Sequence, residues 1–411
     1  MRDDAIVGLD IGTTKICCII AKIDEENNLK VVGVGKAPSV GLRKGVVINL
    51  EQTVQSIKRA VREAERMAGT LVKSVFAGIA GDHIRGINSR GVIAVSRTDR
   101  EITPSDVDRV IEAAKAIAIP MDREIIHVLP QEFIVDDQSG ITEPIGMAGV
   151  RLEAEVHIVT GAVTSAQNIY KSITRAGLDV RDIVLEPLAS AYSVLNPDEK
   201  ELGVVLIDIG GGTTDSAIFF EGSIRHTSVI GLGGNNVTND IAIGLRCPVN
   251  KAEEIKKTYG NALSTLVQND EIVRVPSIGG REERDVARHV LASIIEPRME
   301  ELFQLTLREI KKTDYSDLLA AGVVITGGAA GLEGIPELGE QIFGMPVKIG
   351  YPNLKMTGLT EMITEPMYAT SVGLILYGLE HRDTFKIEKT SEESLFDQIL
   401  DRMKSWFADF F

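Results

Sequence analysis

The sequence predicts an α/β protein built from a duplicated unit, with two glycine-rich turns facing each other across a cleft. Three observations predict it. A turn motif occurs twice, the same order of elements follows each copy, and a block of different texture interrupts the first copy.

The second copy of the motif is the fuller one. Ile207-Asp208-Ile209-Gly210-Gly211-Gly212-Thr213-Thr214-Asp215 joins one apolar run, residues 203–206, to another, residues 216–220. Two β-rich runs joined by glycines read as a hairpin, because glycine reaches the positive φ angles of tight turns. Three consecutive glycines also remove every Cβ from one place, so successive backbone N–H groups can converge on an anion. Thr213 and Thr214 add hydroxyl donors, and Asp208 places a carboxylate where a divalent cation can stand between protein and phosphate. Taken alone, the stretch fits a plain hairpin with an aspartate in its turn equally well. It is not alone: Val7-Gly8-Leu9-Asp10-Ile11-Gly12-Thr13-Thr14-Lys15 repeats it, with the aspartates 208 − 10 = 198 residues apart. Both copies run D-I-G and then T-T, the second with two extra glycines between them. A strand, a turn, a strand and a helix follow each copy: residues 16–23, 25–28, 29–35 and a helix from Asn49, then residues 216–220, Glu221-Gly222, a strand through Ile230 and a helix over 235–245. Repetition of the whole unit favours two phosphate-gripping turns over two coincidental hairpins.

The bulk composition narrows the function classes. A chain of 411 residues holds two or three domains with buried cores. Its net charge of −15 argues against nucleic acid as a principal partner, which needs clustered Lys and Arg. The three cysteines, two of them adjacent (Cys17, Cys18), form neither a metal spacing nor a disulfide framework, which suits a reducing compartment. Residues 1–4 lack the basic-then-apolar order of a signal peptide. No apolar run approaches the ~20 residues of a spanning helix. The expectation is a cytosolic protein, or one bound at a membrane surface.

The remaining elements follow in order. Residues 49–68 place Leu50, Val54, Ile57, Val61 and Ala64 on one helical face, and Gly69 ends the helix. Residues 72–79 read as a buried strand. From 82 to 160, short strands (91–96, 124–135 and 154–160) surround a helix opened by Thr103-Pro104-Ser105-Asp106, and this block reads as an inserted subdomain. The interrupted pattern resumes with a helix over 165–176, a strand over 182–185 and a helix over 187–195. Residues 247–309 read as mostly helical and charged, broken near 268–280. Val323-Val324-Ile325-Thr326-Gly327-Gly328 is a strand entering a glycine turn, a helix follows over 332–343, and a small-residue helix covers 368–379. The expected division is 1–81 with 161–202 and 368–380 as the first domain, and 82–160 as its insertion. Residues 203–229 with 311–367 form the second domain, and 230–310 a helical/β subdomain on it. Residues 381–393 read as a charged linker.

Residues 394–411 change character again. Leu395, Phe396, Ile399, Leu400, Met403, Trp406, Phe407, Phe410 and Phe411 keep to one stripe of a helix, with Asp397, Asp401, Arg402, Lys404 and Asp409 off it. Such a helix could dock back on the protein's own core. A polar tether ahead of a stripe this rich in Phe and Trp fits an interfacial membrane helix better. With three aspartates against one Arg and one Lys, apolar insertion rather than attraction to anionic lipid would drive it.

The chemistry rests on the turns. No G-x-x-x-x-G-K-[ST], H-E-x-x-H or C-x-x-C motif is present. Gly12, Thr13, Thr14 and Lys15, with Gly210, Gly211, Gly212, Thr213 and Thr214, are placed to wrap the β- and γ-phosphates of ATP. Asp10 and Asp208 would hold Mg²⁺ through its waters, and Gly327-Gly328 would meet the α-phosphate or adenosine.

These turns resemble those of the actin/heat-shock-chaperone/sugar-kinase ATPase superfamily. Within it, I-V-G-L-D-I-G-T-T-K at the start, the insertion over 82–160 and the tethered terminal helix resemble the FtsA family of bacterial cell-division proteins, over essentially the whole chain. The resemblance implies an actin-like fold of two ribonuclease-H-like domains around a nucleotide cleft, with a 1C-type insertion. It implies that Glu186, in L-E-P-L-A-S-A-Y, matches the superfamily's E-P-x-A-A segment and is the catalytic candidate, arranging Mg²⁺ and water. Ser190 is a mild departure from that segment, and a carboxylate opening a helix is the plainer reading of Glu186. Glu253 and Lys256, in A-E-E-I-K-K, match a helix that contacts ribose and adenine in relatives; by spacing alone they are a solvated pair. It further implies head-to-tail self-assembly at the cytoplasmic membrane face of the division site. The tubulin-like FtsZ would be recruited by its C-terminal peptide on 230–310, with Arg298 a candidate contact, and other division proteins through the insertion. ATP hydrolysis would be slow or regulatory. A small-molecule kinase would need an acidic base beside the γ-phosphate, and no motif supplies one. A chaperone would continue into a β-rich peptide-binding domain, whereas only a tether and helix follow.

Overall fold

The computed structural model describes residues 5–24, 28–96, 100–268, 270–277, 282–353 and 355–382. The duplication extends from the turn motif to whole sheets. The first sheet runs Asp179–Leu185, Ser74–Ile79, Ala5–Ile11, Lys15–Ile23, Leu29–Pro38, with Thr357–Gly358 at its edge. The second runs, in matching positions, Val347–Ile349, Val323–Thr326, Val204–Ile209, Thr214–Phe220, Ser223–Ile230. In each, three sequential strands are antiparallel neighbours, a fourth strand pairs with the first of them in parallel, and a fifth pairs in parallel with the fourth. Ala5–Ile11 and Val204–Ile209 sit mid-sheet between packed layers, so they are apolar almost throughout and buried on both faces.

Helices cover the first sheet from both sides. Leu50–Ala68 starts where the Asn49 side chain accepts a bond from the Gln52 N–H, and stops at Gly69, whose φ of 63° is left-handed. It lies so close to Leu29–Pro38 that a Cβ on Gly35 would overlap the Ala60 carbonyl. On the other face Ala369–Glu380 packs against Glu186–Val194, with Gly373 against the Ala189 carbonyl. This last helix returns from far along the chain to the junction of the two sheets, where its start meets both turns.

The insertion is a four-stranded sheet, ordered Arg85–Ala94, Arg151–Ala162, Arg123–Val135, Gln138–Ile141, with Pro104–Lys115 packed on one face. Its other face docks on Ser223–Ile230 of the second sheet. His157 lies between Asn88 Oδ1 (2.6 Å from Nδ1) and Thr227 Oγ1 (2.8 Å from Nε2), and Gln131 Nε2 donates to the Ile224 carbonyl at 2.8 Å. Burial, reinforced by His226, pushes the His157 imidazole down to about 3, so it is neutral in this contact. The strand Arg85–Ala94 begins earlier than the sequence suggests because Gly86 and Asn88 face this polar contact rather than a greasy core.

Residues 247–309 are less helical than expected. Val249–Tyr259 and Arg288–Ile310 are helices, but Ile272–Val275 and Arg284–Ala287 pair as a short antiparallel hairpin between them. Among the described residues no helix is long and apolar enough to cross a membrane. The linker beyond Arg382 and the apolar stripe over 395–411 lie outside the described residues.

Candidate functional site

The two turns meet. Ala5–Ile11 and Lys15–Ile23 form one hairpin and Val204–Ile209 and Thr214–Phe220 the other, and their tips touch across the seam between the sheets. A Cβ on Gly211 would overlap Thr14 Oγ1, and one on Gly212 would lie 2.7 Å from Thr13 Oγ1. The two extra glycines of the second motif therefore admit the threonines of the first. Among the described residues, no backbone carbonyl accepts a hydrogen bond from the N–H groups of Gly12, Thr13, Gly211 or Gly212. The helix Gly234–Gly244 starts against the second turn, where the Gly234 and Asn235 N–H groups donate to the Gly210 and Gly211 carbonyls at 2.9 and 2.8 Å.

Behind the tips lies a cluster of carboxyl groups. Asp10 is buried and accepts from Lys15 Nζ at 2.9 Å and from Ser371 Oγ at 3.4 Å. Burial opposes the Lys15 charge, but the charge and hydrogen bond of Asp10, together with its other anionic neighbours including Asp208, hold the ammonium above its ordinary value. Asp208, also buried, accepts from Ser190 Oγ at 2.8 Å and Thr370 Oγ1 at 3.3 Å. Burial raises its carboxyl above the usual range, and Asp10 adds to the rise. Asp215 faces Asp208 directly across the hairpin. It receives Thr213 Oγ1 at 2.9 Å on one oxygen, and its other oxygen is buried with no partner. Burial, then repulsion from Asp208, pushes it up to about 7. Glu186, at the start of its helix and against Gly78, is raised well above its usual value by burial and by Asp10, Asp215 and Asp208, with Lys15 opposing. Four acids thus share one buried region with one lysine, an arrangement that favours an added cation. Among the described residues no three His, Cys, Asp or Glu side chains are grouped to hold a metal ion directly.

The other expected residues fall around the same seam. Gly327 has φ 93°, and a Cβ there would overlap Asp208 Oδ1, so only glycine fits; Gly328 faces open space. Lys256 Nζ donates to the Gly234 carbonyl at 2.9 Å and pairs with Glu253 Oε2 at 2.7 Å. Although burial opposes its charge, Glu253 is held down at about 2 by Lys256 and by hydrogen bonds from Lys256, Thr238 and Lys257. The pair is therefore anchored to the helix that starts at the second turn, not loose in solvent. Arg298 lies apart, its guanidinium divided between Asp240 (2.6 Å) and Glu301. An acidic peptide would compete with both.

Several members of the site carry no motif. Ser190 bonds Asp208, so the departure from E-P-x-A-A supplies a hydroxyl. Thr370 and Ser371 reach the two aspartates from 162 and 361 residues away, and no spacing rule connects them. Asp215 stands at the end of the second motif, and its mismatch with Lys15 of the first was the available signal.

Residues 205–373 match the family described as cell division protein FtsA, and residues 81–160 match the SHS2 domain inserted in FTSA. The cell division protein FtsA of Pseudomonas aeruginosa is 51% identical over 406 residues, covering 98% of this chain and 97% of that protein. Among solved structures, the PilM-PilN type IV pilus biogenesis complex is similar with a TM-score of 0.66 and 18% identity, covering 92% of this chain and 99% of that one. MreB5 of Spiroplasma citri bound to ADP is similar with a TM-score of 0.55 and 16% identity, covering 92% and 97%. The fold is accordingly actin-like with an inserted subdomain. Near-complete coverage at this identity, with a match to the insertion as well, makes the chain a member of the FtsA family of cell division proteins.

Proposed function

We propose that the seam between the two turns binds Mg-ATP, and that nucleotide-governed closure sets assembly of the protein on the cytoplasmic face of the membrane at the division site. The single observation behind this reading is the convergence of both turns, with unpaired backbone N–H groups at their tips and four acids behind them. The N–H groups and the threonine hydroxyls suit phosphate oxygens, and the orphaned Asp215 oxygen and the shared negative charge suit a hydrated Mg²⁺. The bound cation would neutralise phosphate and carboxylate charge together. Asp10 and Asp208 would orient its water shell, Glu186 would hold a water near the terminal phosphate, and Glu253 and Lys256 would lie along the nucleoside.

Head-to-tail contacts do not close on themselves and give filaments. The apolar stripe over 395–411 would hold each copy to lipid, and linking copies raises avidity by roughly 10²–10⁴-fold for a second linked site. Residues 230–310 would dock the C-terminal peptide of FtsZ, tethering that ring to the membrane, and the insertion would recruit later division proteins. Electron microscopy on lipid monolayers with ATP tests the reading, comparing the full chain with a version ending near Glu392. Lipid-bound filaments from the full chain, lost from lipid on truncation, are the expected result. If neither version binds lipid or assembles, the reading fails. Trp406→Glu should likewise release the protein from liposomes with ATP affinity unchanged.

A further inference from the structure

A third hairpin, which no motif announces, reaches the junction of the two turns. Leu42–Arg43 pairs with Val46–Val47, leaving Lys44 and Gly45 as a two-residue turn with φ angles of 50° and 75°. Two positive φ values in succession are those of a type I′ turn, where glycine and asparagine are usual and lysine is not. The hairpin is fixed at both ends. Leu42 is buried in the first core, the Gly45 N–H donates to Thr13 Oγ1 at 3.1 Å, and a Cβ on Gly45 would overlap the Ala80 carbonyl.

This mount carries Lys44 across the seam. Its Cα lies 3.1 Å from where a Cβ of Gly212 would stand, and its Nζ 3.3 Å from the same position on Gly231, both on the second lobe. Gly231 precedes the helix whose N-terminal amides bond the second turn. Lys44 is half-buried and makes no ion pair among the described residues, whereas Lys15 and Lys256 are each committed to a carboxylate. Strained backbone on a rigid mount, ending in an unpaired ammonium where both lobes meet, marks a residue kept for a ligand.

We propose that Lys44 is a specificity-determining residue that binds the terminal phosphate of a nucleoside triphosphate and so distinguishes it from the diphosphate. This rests on the nucleotide reading above. The first lobe supplies the ammonium and the second lobe supplies the backbone it lies against, so the contact forms only when the lobes are together. A terminal phosphate placed between Thr13 and Gly212 would take its charge-assisted hydrogen bond from Lys44, and a diphosphate would leave the ammonium unpaired.

The test is calorimetric affinity of the full chain for Mg-ATP and Mg-ADP, in wild type, Lys44→Asn and Lys44→Arg. Asparagine tolerates the left-handed backbone and removes only the charge; Lys44→Gly serves if the asparagine variant unfolds. The expected result is a loss of roughly tenfold or more in ATP affinity for Lys44→Asn, the scale of one charge-assisted hydrogen bond. ADP affinity stays within about twofold, and Lys44→Arg restores most of the preference. An equal loss for both nucleotides, or no loss for either, overturns the role of Lys44 while leaving the nucleotide site standing. A wild type that binds neither nucleotide overturns both.

Discussion

The two turns share a backbone plan and differ in charge. The first carries its own counter-ion: Lys15 lies 2.9 Å from Asp10, and the residue paired with Asp10 across the hairpin is Cys17. The second sets Asp208 opposite Asp215, and among the described residues the side-chain hydrogen bonds they accept come from the hydroxyls of Ser190, Thr370 and Thr213. The two hairpins share their geometry, but the residue after T-T is Lys15 in the first and Asp215 in the second. The first turn carries a cation of its own and the second turn does not, which places the demand for an added positive charge on the second turn's side of the seam.

That asymmetry can be broken in steps. Lys15→Met should have the largest effect, because it leaves Asp10 buried without its cation. Breaking one partner of such a pair costs about 3–5 kcal/mol, which urea unfolding would measure. A loss below 1 kcal/mol would mean that the first turn is not self-neutralised. Gly211→Ala should cost about 1–3 kcal/mol through overlap with Thr14, and Thr14→Ala in the same chain should recover much of it. Additive costs in that double-mutant cycle would argue against direct contact of the tips.

Asp215→Asn addresses the second turn through pH. The Asp215 carboxyl is raised from 3.8 to about 7, so its protonated form is favoured by folding. The stability it contributes is fully present below about pH 4 and is lost as pH rises through about 7. Nucleotide-free wild type should therefore fall behind the asparagine variant on going from pH 4 to pH 8. Taking that rise in the Asp215 carboxyl as roughly 4 kcal/mol, a gap of about 8–16 °C in Tm at pH 8 is expected. Parallel Tm curves would remove Asp215 from the charge-deficient cluster.

The repeated D-I-G and T-T motif made the two hairpins and their facing arrangement legible, because glycine and aspartate at fixed offsets constrain backbone locally. Helix ends at Asn49 and Gly69 were equally readable, since caps are local too. The groups that complete the site were not. Ser371 reaches Asp10 only because the last helix packs back against Glu186–Val194, a tertiary event without a sequence period. Lys44 sits on paired strands of two residues each, too short for any alternation to register. Ile272–Val275 falls in the break expected at 268–280, but its pairing with Arg284–Ala287 was not legible, because strands of four residues are too short for alternation to register. The contact of the insertion with Ser223–Ile230 is polar, so its strand Arg85–Ala94 lacked the apolar rhythm that marks a core strand.

The proposed binding of Mg-ATP would bring the second turn the cation that it lacks among the described residues. Its most direct test is ATP affinity with and without Mg²⁺, in wild type and Asp208→Ala. In wild type Mg²⁺ should tighten binding. In Asp208→Ala that gain should shrink by roughly 10–100-fold, the scale of losing one or two interactions to a charged group, with affinity in EDTA little changed. An undiminished Mg²⁺ gain in the variant would contradict the account.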